Sequence, residues 1–228
     1  MIDAQIIYRL ILTAATAFLL GSIPTSYLLG RFVYGVDPRD VGSGATGATN
    51  TTRAMGLVAG IITAFVDVAK GWVAIVLTRT LLAPSAQFGS TATSLAIGVA
   101  LIAVIAGHAF SPWLRFRGGK GIAVAGGAII ALAPLIFVIE LIALIAIAAL
   151  SGYVALGSIL IALALPVLMY LSPNTRDPFL VGAGVIAALF IVLLHRENIA
   201  RLRAGTENHL TLGDSRGTKD SDETRKRG

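Results

Sequence analysis

The chain has no cysteine, and this alone excludes disulfides, thiolate nucleophiles and cysteine-ligated zinc. It has only three histidines, at 108, 195 and 209, too far apart in sequence to read as a metal site. Charge is scarce at 13% of residues, with 12 acidic side chains against 18 basic ones. The basic residues form no separate basic domain, which argues against a nucleic-acid partner despite a net charge of +6. No GxxxxGK[ST] phosphate loop and no dinucleotide fingerprint occur, so nucleotide hydrolysis and an organic cofactor are not expected.

What the chain has in abundance is apolar sequence: 56% of its 228 residues are hydrophobic and its mean hydropathy is +0.83. That is too apolar for a soluble core, and predicts an all-α polytopic membrane protein. Runs long enough for a hydrocarbon core of roughly 30 Å lie at 6–29, 57–82, 91–109, 154–171 and 179–194. A further run, 122–150, is too long for one span. Pro134 near its middle removes a backbone donor and clashes with the preceding turn, so two short helices are expected there, giving seven spans. The first run lacks a small-residue cleavage site and is expected to stay in the protein.

Positive charge marks the cytoplasmic side. Arg31, Arg39 and Arg53 share one loop, Arg115, Arg117 and Lys120 another, and eight basic residues follow the last span, whereas Arg9, Arg79 and Arg176 fall on the opposite side. The N-terminus is then outside and the C-terminus inside, with anionic lipid as the neighbour of the basic residues. Residues 1–210 read as one membrane domain, and 211–228, polar and mixed in charge, as a disordered cytoplasmic tail.

Three glycine-rich or basic stretches interrupt the apolar chain, and all fall on the inner side: Gly42–Asn50 with Arg53, Arg117–Gly121, and His195–Asn208. Glycine backbone and cationic side chains are costly near hydrocarbon unless they line a wet cavity. In the first stretch the glycines let backbone N–H groups converge on an anion, Ser43, Thr46, Thr49, Asn50 and Thr51 add side-chain donors, and Arg53 adds a planar fork suited to phosphate. A loop whose hydroxyls merely cap the next helix is the rival reading. In the second, Gly118, Gly119, Lys120 and Gly121 open a helix, where a point charge joins free N–H groups and the positive end of the dipole. The rival there is a lysine anchoring the chain at the headgroups. In the third, His195 and Asn198 are three apart and share one helix face. Glu197 and Glu207 would repel a phosphate unless paired with an arginine. His108 reads as a buried structural histidine, and Asp67 with Lys70 as an ion pair inside a span.

Taken together, GSIPTS from Gly21, GSG-x-x-GATN-x-x-R from Gly42 to Arg53, DVAKG from Asp67, GH…F-x-GGKG from Gly107 to Gly121, and HRENIARLRAGTEN from His195 make the sequence similar to the bacterial acyl-phosphate:glycerol-3-phosphate acyltransferases, the PlsY family. The resemblance spans about residues 20 to 210. It implies a seven-helix enzyme of the bacterial cell membrane whose active site faces the cytoplasm. That enzyme passes a fatty acyl group from acyl phosphate to the 1-hydroxyl of sn-glycerol 3-phosphate, releasing lysophosphatidic acid and phosphate with no cofactor and no metal.

Carried over by position, the resemblance puts catalysis on Lys120, His195 and Asn198. Substrate phosphate would be bound by Ser43, Thr49, Asn50, Arg53, Gly118, Gly119 and Ser158. The sequence departs from the family pattern at Ala45, Val124 and Ala155, where asparagine, threonine and serine are usual, and each change is expected to remove a polar group near the site. A soluble enzyme that produces acyl phosphate and docks on the inner surface is left open. So are two other classes: a transporter of a phosphorylated solute, which would favour internal repeats and midplane sites, and a non-catalytic lipid-binding paralogue.

Overall fold

The computed structural model describes residues 4–209, so the expectation for the tail from 211 lies outside the described residues. Ten α-helices and no strand occur among them. The first apolar run does not make one helix. α1 (Ala4–Ser22) stops, Ile23 and Pro24 are non-helical, and α2 (Thr25–Leu29) resumes. Pro24 brings no backbone donor, so carbonyls at the break need another partner, which in a membrane cannot be bulk water. That partner is the side chain of Lys70, which donates to the carbonyls of Ile23 (2.8 Å) and Gly21 (3.3 Å).

After a polar loop come the short α3 (Ala48–Met55) and α4 (Leu57–Leu77), followed by α5 (Ser85–Ala109). The long run then splits as expected into α6 (Ile122–Leu132) and α7 (Pro134–Ser151), with Pro134 at the first position of α7, where its missing N–H costs nothing. α8 (Val154–Leu171), α9 (Pro178–Leu194) and the short α10 (Arg196–Ala204) complete the order.

Five helical segments are long and apolar enough to cross a bilayer, and α9 with α10, bent by 55°, makes a sixth. The seventh expected span falls on α6, whose 11 residues reach about 16 Å, short of a hydrocarbon core on their own. α1 packs along α5, α4 along α6, and α7, α8 and α9 follow one another, with α9 closing against α5. Close approach of α1 and α5 depends on Gly21 and Gly107, since a methyl at either would strike the backbone of Val104 or Phe18. The core they enclose is aliphatic, with Ile75, Leu101, Ile105, Ile129, Met169 and Ile191 all buried. The outside is apolar too: Leu150 is 90% exposed, Phe32 79% and Phe65 74%, the pattern of side chains that face lipid.

Candidate active site

One cleft with about 290 Å³ of space opens at the end of the bundle where the three polar stretches meet. Ser43, Thr49, Asn50 and Arg53 line it from the first loop and α3, Lys120 from the loop before α6, Ser158 from α8, and His195 and Asn198 from the α9–α10 bend. Segments more than a hundred residues apart therefore share one wall. The first turn of α6 also opens on the cleft through Ile122 and Ala123.

Lys120 is the centre of the polar network. Its ammonium donates to Oδ1 of Asn198. Asn198 Nδ2 donates to Oε1 of Glu207 (2.9 Å), whose Oε2 accepts from Arg201 Nε (2.9 Å). Glu207 is thus balanced by Arg201, and it fixes the amide of Asn198 so that oxygen faces the lysine. Burial, helped by the charge of Arg201, lowers the Lys120 pKa from its ordinary 10.5 to about 8. Burial likewise holds Arg53 below its usual value, with Arg201 adding to the effect and Glu207 opposing it. An arginine keeps its charge throughout, so Arg53 stays cationic beside Lys120 at the mouth of the cleft.

His195, just past the end of α9, is 3% exposed. Its Nδ1 lies 2.8 Å from the carbonyl of Ile191, an atom that only accepts, so Nδ1 carries the proton and Nε2 is an acceptor in the neutral ring. Burial lowers its pKa to about 4, so the ring is uncharged near neutrality.

Not every residue singled out from the sequence has free groups in the cleft. The Asn50 side chain is consumed in the loop: Oδ1 accepts from the Ser43 amide (3.0 Å), and Nδ2 donates to the carbonyls of Pro38 (2.7 Å) and Ala45 (2.8 Å). It holds the GSGATG turn, in which Gly42 has φ +59°. Gly118 and Gly119 do not line the cleft. Their amides donate to the carbonyls of Ala109 (2.9 Å) and His108 (3.1 Å), and a methyl group on either would collide with the backbone or ring of His108. They dock the lysine loop onto the end of α5.

Of the three departures, Ala45 and Ala155 line the cleft. Val124, against expectation, is fully buried in the core, because its place on α6 turns it away from the cleft. Asp67 and Lys70 form the expected ion pair at 2.7 Å, and Asp67 lines the cleft beside His108, whose Nδ1 lies 3.8 Å from Asp67 Oδ1.

Gly119→Ala should pry the lysine loop off α5. A shift of about 1 Å in a positioned group costs on the order of 10²-fold in rate. We expect that loss in kcat/KM of the purified variant while its circular dichroism keeps the helical signature. An unchanged rate would mean that Lys120 does not depend on this docking.

The sequence profile of the family described as Glycerol-3-phosphate acyltransferase matches residues 11–205. Proteins named glycerol-3-phosphate acyltransferase from Geobacter sulfurreducens and Desulforamulus reducens are 42% and 43% identical to this chain, over 88% and 84% of it and 96% and 90% of their own lengths. Two crystal structures of PlsY, an integral membrane glycerol 3-phosphate acyltransferase, superimpose with TM-scores of 0.78 for the glycerol 3-phosphate form and 0.75 for the lysophosphatidic acid form. They are 29% and 28% identical, covering 89% of this chain and 96% of theirs. A cationic cleft at one end of an apolar helical bundle, matched along nearly its whole length by these relatives, shows that the chain belongs to the glycerol-3-phosphate acyltransferase family.

Proposed function

We propose that this protein transfers a fatty acyl group from acyl phosphate to the 1-hydroxyl of sn-glycerol 3-phosphate at the cleft lined by Arg53, Lys120, His195 and Asn198. The observation that carries the reading is the meeting of these four residues in a single cleft that continues between apolar helices, which suits an anionic head and a hydrocarbon tail in one site. The relatives named above are glycerol-3-phosphate acyltransferases, and the solved neighbours hold glycerol 3-phosphate or lysophosphatidic acid. The same reading has α6 completing a seventh crossing with its flanking residues. It places the N-terminus outside, the C-terminus inside and the cleft at the cytoplasmic face of a bacterial membrane, where a soluble producer of acyl phosphate would deliver its product.

Acyl phosphate is a mixed anhydride whose phosphate is a good leaving group. The task is therefore to bring two anions together and stabilise charge as it moves. The 1-hydroxyl oxygen forms a bond to the acyl carbon, the bond from that carbon to the phosphate oxygen breaks, and the hydroxyl proton leaves with inorganic phosphate. Arg53 and Lys120 offset the phosphate charges, with Ser43 and Thr49 as neutral donors beside them. His195 is neutral with an open Nε2, so it accepts a hydrogen bond from glycerol and orients it. Gly118, Gly119 and Asn50 act on phosphate only by shaping the loops that carry Lys120 and Ser43. No cysteine is present and no covalent acyl-enzyme is required.

Purified protein supplied with acyl phosphate and labelled glycerol 3-phosphate is expected to form lysophosphatidic acid. Uptake of label into vesicles without product would favour a transporter, and neither outcome a binding paralogue.

The Lys120 pKa of about 8 sets the pH dependence. kcat/KM, which reports the free enzyme, should fall about tenfold per unit above pH 8 as the ammonium loses its proton. kcat should hold to higher pH, because a bound phosphate favours the charged lysine. Stability moves the other way. Between about 8 and 10.5 the unfolded chain holds a proton that the folded one has released, so this group makes the fold more stable as pH rises through that window. Alkaline loss of binding without a fall in melting temperature is the expected signature. Coincident loss of both would assign the profile to unfolding.

A further inference from the structure

Below its cationic mouth the cleft runs between apolar walls that include Val68, Phe137, Leu141, Leu144 and Ile161. One residue breaks the pattern. Glu140, on α7, lines this part of the cleft, is 8% exposed, and its Oε1 is buried without a hydrogen-bond partner among the described residues. No ion pair involves it there either: Lys120, Arg201 and Lys70 are engaged with Asn198, Glu207 and Asp67.

Its depth follows from the helix geometry. The C-terminal end of α7 is on the side of the cationic mouth, since Tyr153, two residues past Ser151, meets His209 just after the Glu207 network. Glu140 is about 16 Å from Ser151 at 1.5 Å per residue, and about one turn deeper than Leu144, which packs on Gly157 of α8. It therefore stands beside the path of a hydrocarbon chain and not beside the phosphates.

A carboxyl oxygen left unpaired at this depth costs the fold free energy. A plain hydrocarbon chain leaves that cost in place, and a charged amine would add its own desolvation. A hydroxyl is neutral, fits an apolar wall, and donates a hydrogen bond to the unpartnered carboxyl. Resting on the acyltransferase reading above, we propose that Glu140 is a specificity residue that accepts a hydrogen bond from a hydroxyl group on the acyl chain, so that hydroxylated acyl phosphates are donors of this enzyme.

The test uses the full chain in detergent with acyl phosphates of one length, either unsubstituted or carrying a single hydroxyl at successive positions from carbon 3 to carbon 12. One positional isomer should match or exceed the plain donor in kcat/KM. Glu140→Leu should lower the ratio of that isomer to the plain donor by roughly tenfold, the usual consequence of losing a buried partner for a hydroxyl. Glu140→Gln, which keeps an acceptor oxygen, should preserve the ratio. Glu140→Leu removes a buried orphan, so it should melt no lower than the parent, which separates the effect from unfolding. If every hydroxylated isomer is a worse donor than the plain chain, or if the ratio is unchanged in Glu140→Leu, the proposal falls while the acyltransferase reading stands. If neither kind of donor is transferred by the parent protein, the acyltransferase reading falls first.

Discussion

Lys120→Met abolishes acyl transfer: kcat/KM for glycerol 3-phosphate is expected to drop by 10³-fold or more, with the protein still folded. The reason is placement. The ammonium sits in a cleft where burial strengthens every charge interaction, and it arrives there already oriented by Asn198. Preorganised charge of this kind needs no rearrangement as the phosphate departs, and one such donor is worth about 10²–10³ even when neutral. The fold tolerates the change because the desolvation that depresses the lysine is relieved by the methionine, against the loss of one hydrogen bond to Asn198. Methionine keeps an unbranched side chain one heavy atom shorter than lysine, so packing of the aliphatic stem against the loop is kept. The decisive comparison is an acyl-transfer assay beside a detergent melt. A variant that melts like the parent and transfers at the parent rate would remove Lys120 from the reaction.

The polar part of this site was legible in the sequence because the membrane makes polarity conspicuous. A glycine–serine–threonine loop or a lysine between glycines has no reason to persist in a chain this apolar unless it lines something wet, and Ser43, Thr49, Arg53, Lys120, His195 and Asn198 do line one cleft. The partners of backbone groups were not legible. Whether the amides of Gly118 and Gly119 face a ligand or the end of α5 depends on tertiary packing, and only the closeness of His108 decides it. Asn50 reads from sequence as a donor for phosphate, yet three loop atoms claim its side chain.

Glu207 reads from sequence as repulsive unless an arginine pairs with it; that Arg201 is the partner, across the end of α10, has no pattern in sequence. The family pattern sets Val124 near the site as one of three departures, but the helical turn of α6 puts it in the core, away from the cleft. Glu140 was hidden by its surroundings: in an apolar run read for length and for Pro134, a single carboxyl changes neither. The break after Ser22 was equally hidden, since Pro24 lies so near the end of the first run that it reads as a terminus.

That break carries the second large effect. The ammonium of Lys70 meets three oxygens at once, Asp67 Oδ1 at 2.7 Å and the carbonyls of Ile23 and Gly21 at 2.8 and 3.3 Å. It holds a cationic link between α4 and the interrupted first span, in a place where no bulk solvent would replace it. Lys70→Met removes all three contacts and leaves Asp67, 2% exposed, as a buried charge with only His108 at 3.8 Å. Breaking a buried pair from one side costs about 3–5 kcal/mol, a large share of the stability of a protein this size. The variant is expected to melt well below the parent in detergent. The double variant Asp67→Asn with Lys70→Met should recover part of the loss, because the stranded charge is gone, while the carbonyl of Gly21 stays unsatisfied and that of Ile23 keeps only the Thr25 amide. A cycle of the two single variants and the double therefore separates the pair from the helix break. Full recovery in the double variant would mean that the carbonyls of Gly21 and Ile23 never needed the lysine. A single variant that melts with the parent would mean that the first span holds its interruption without help from α4.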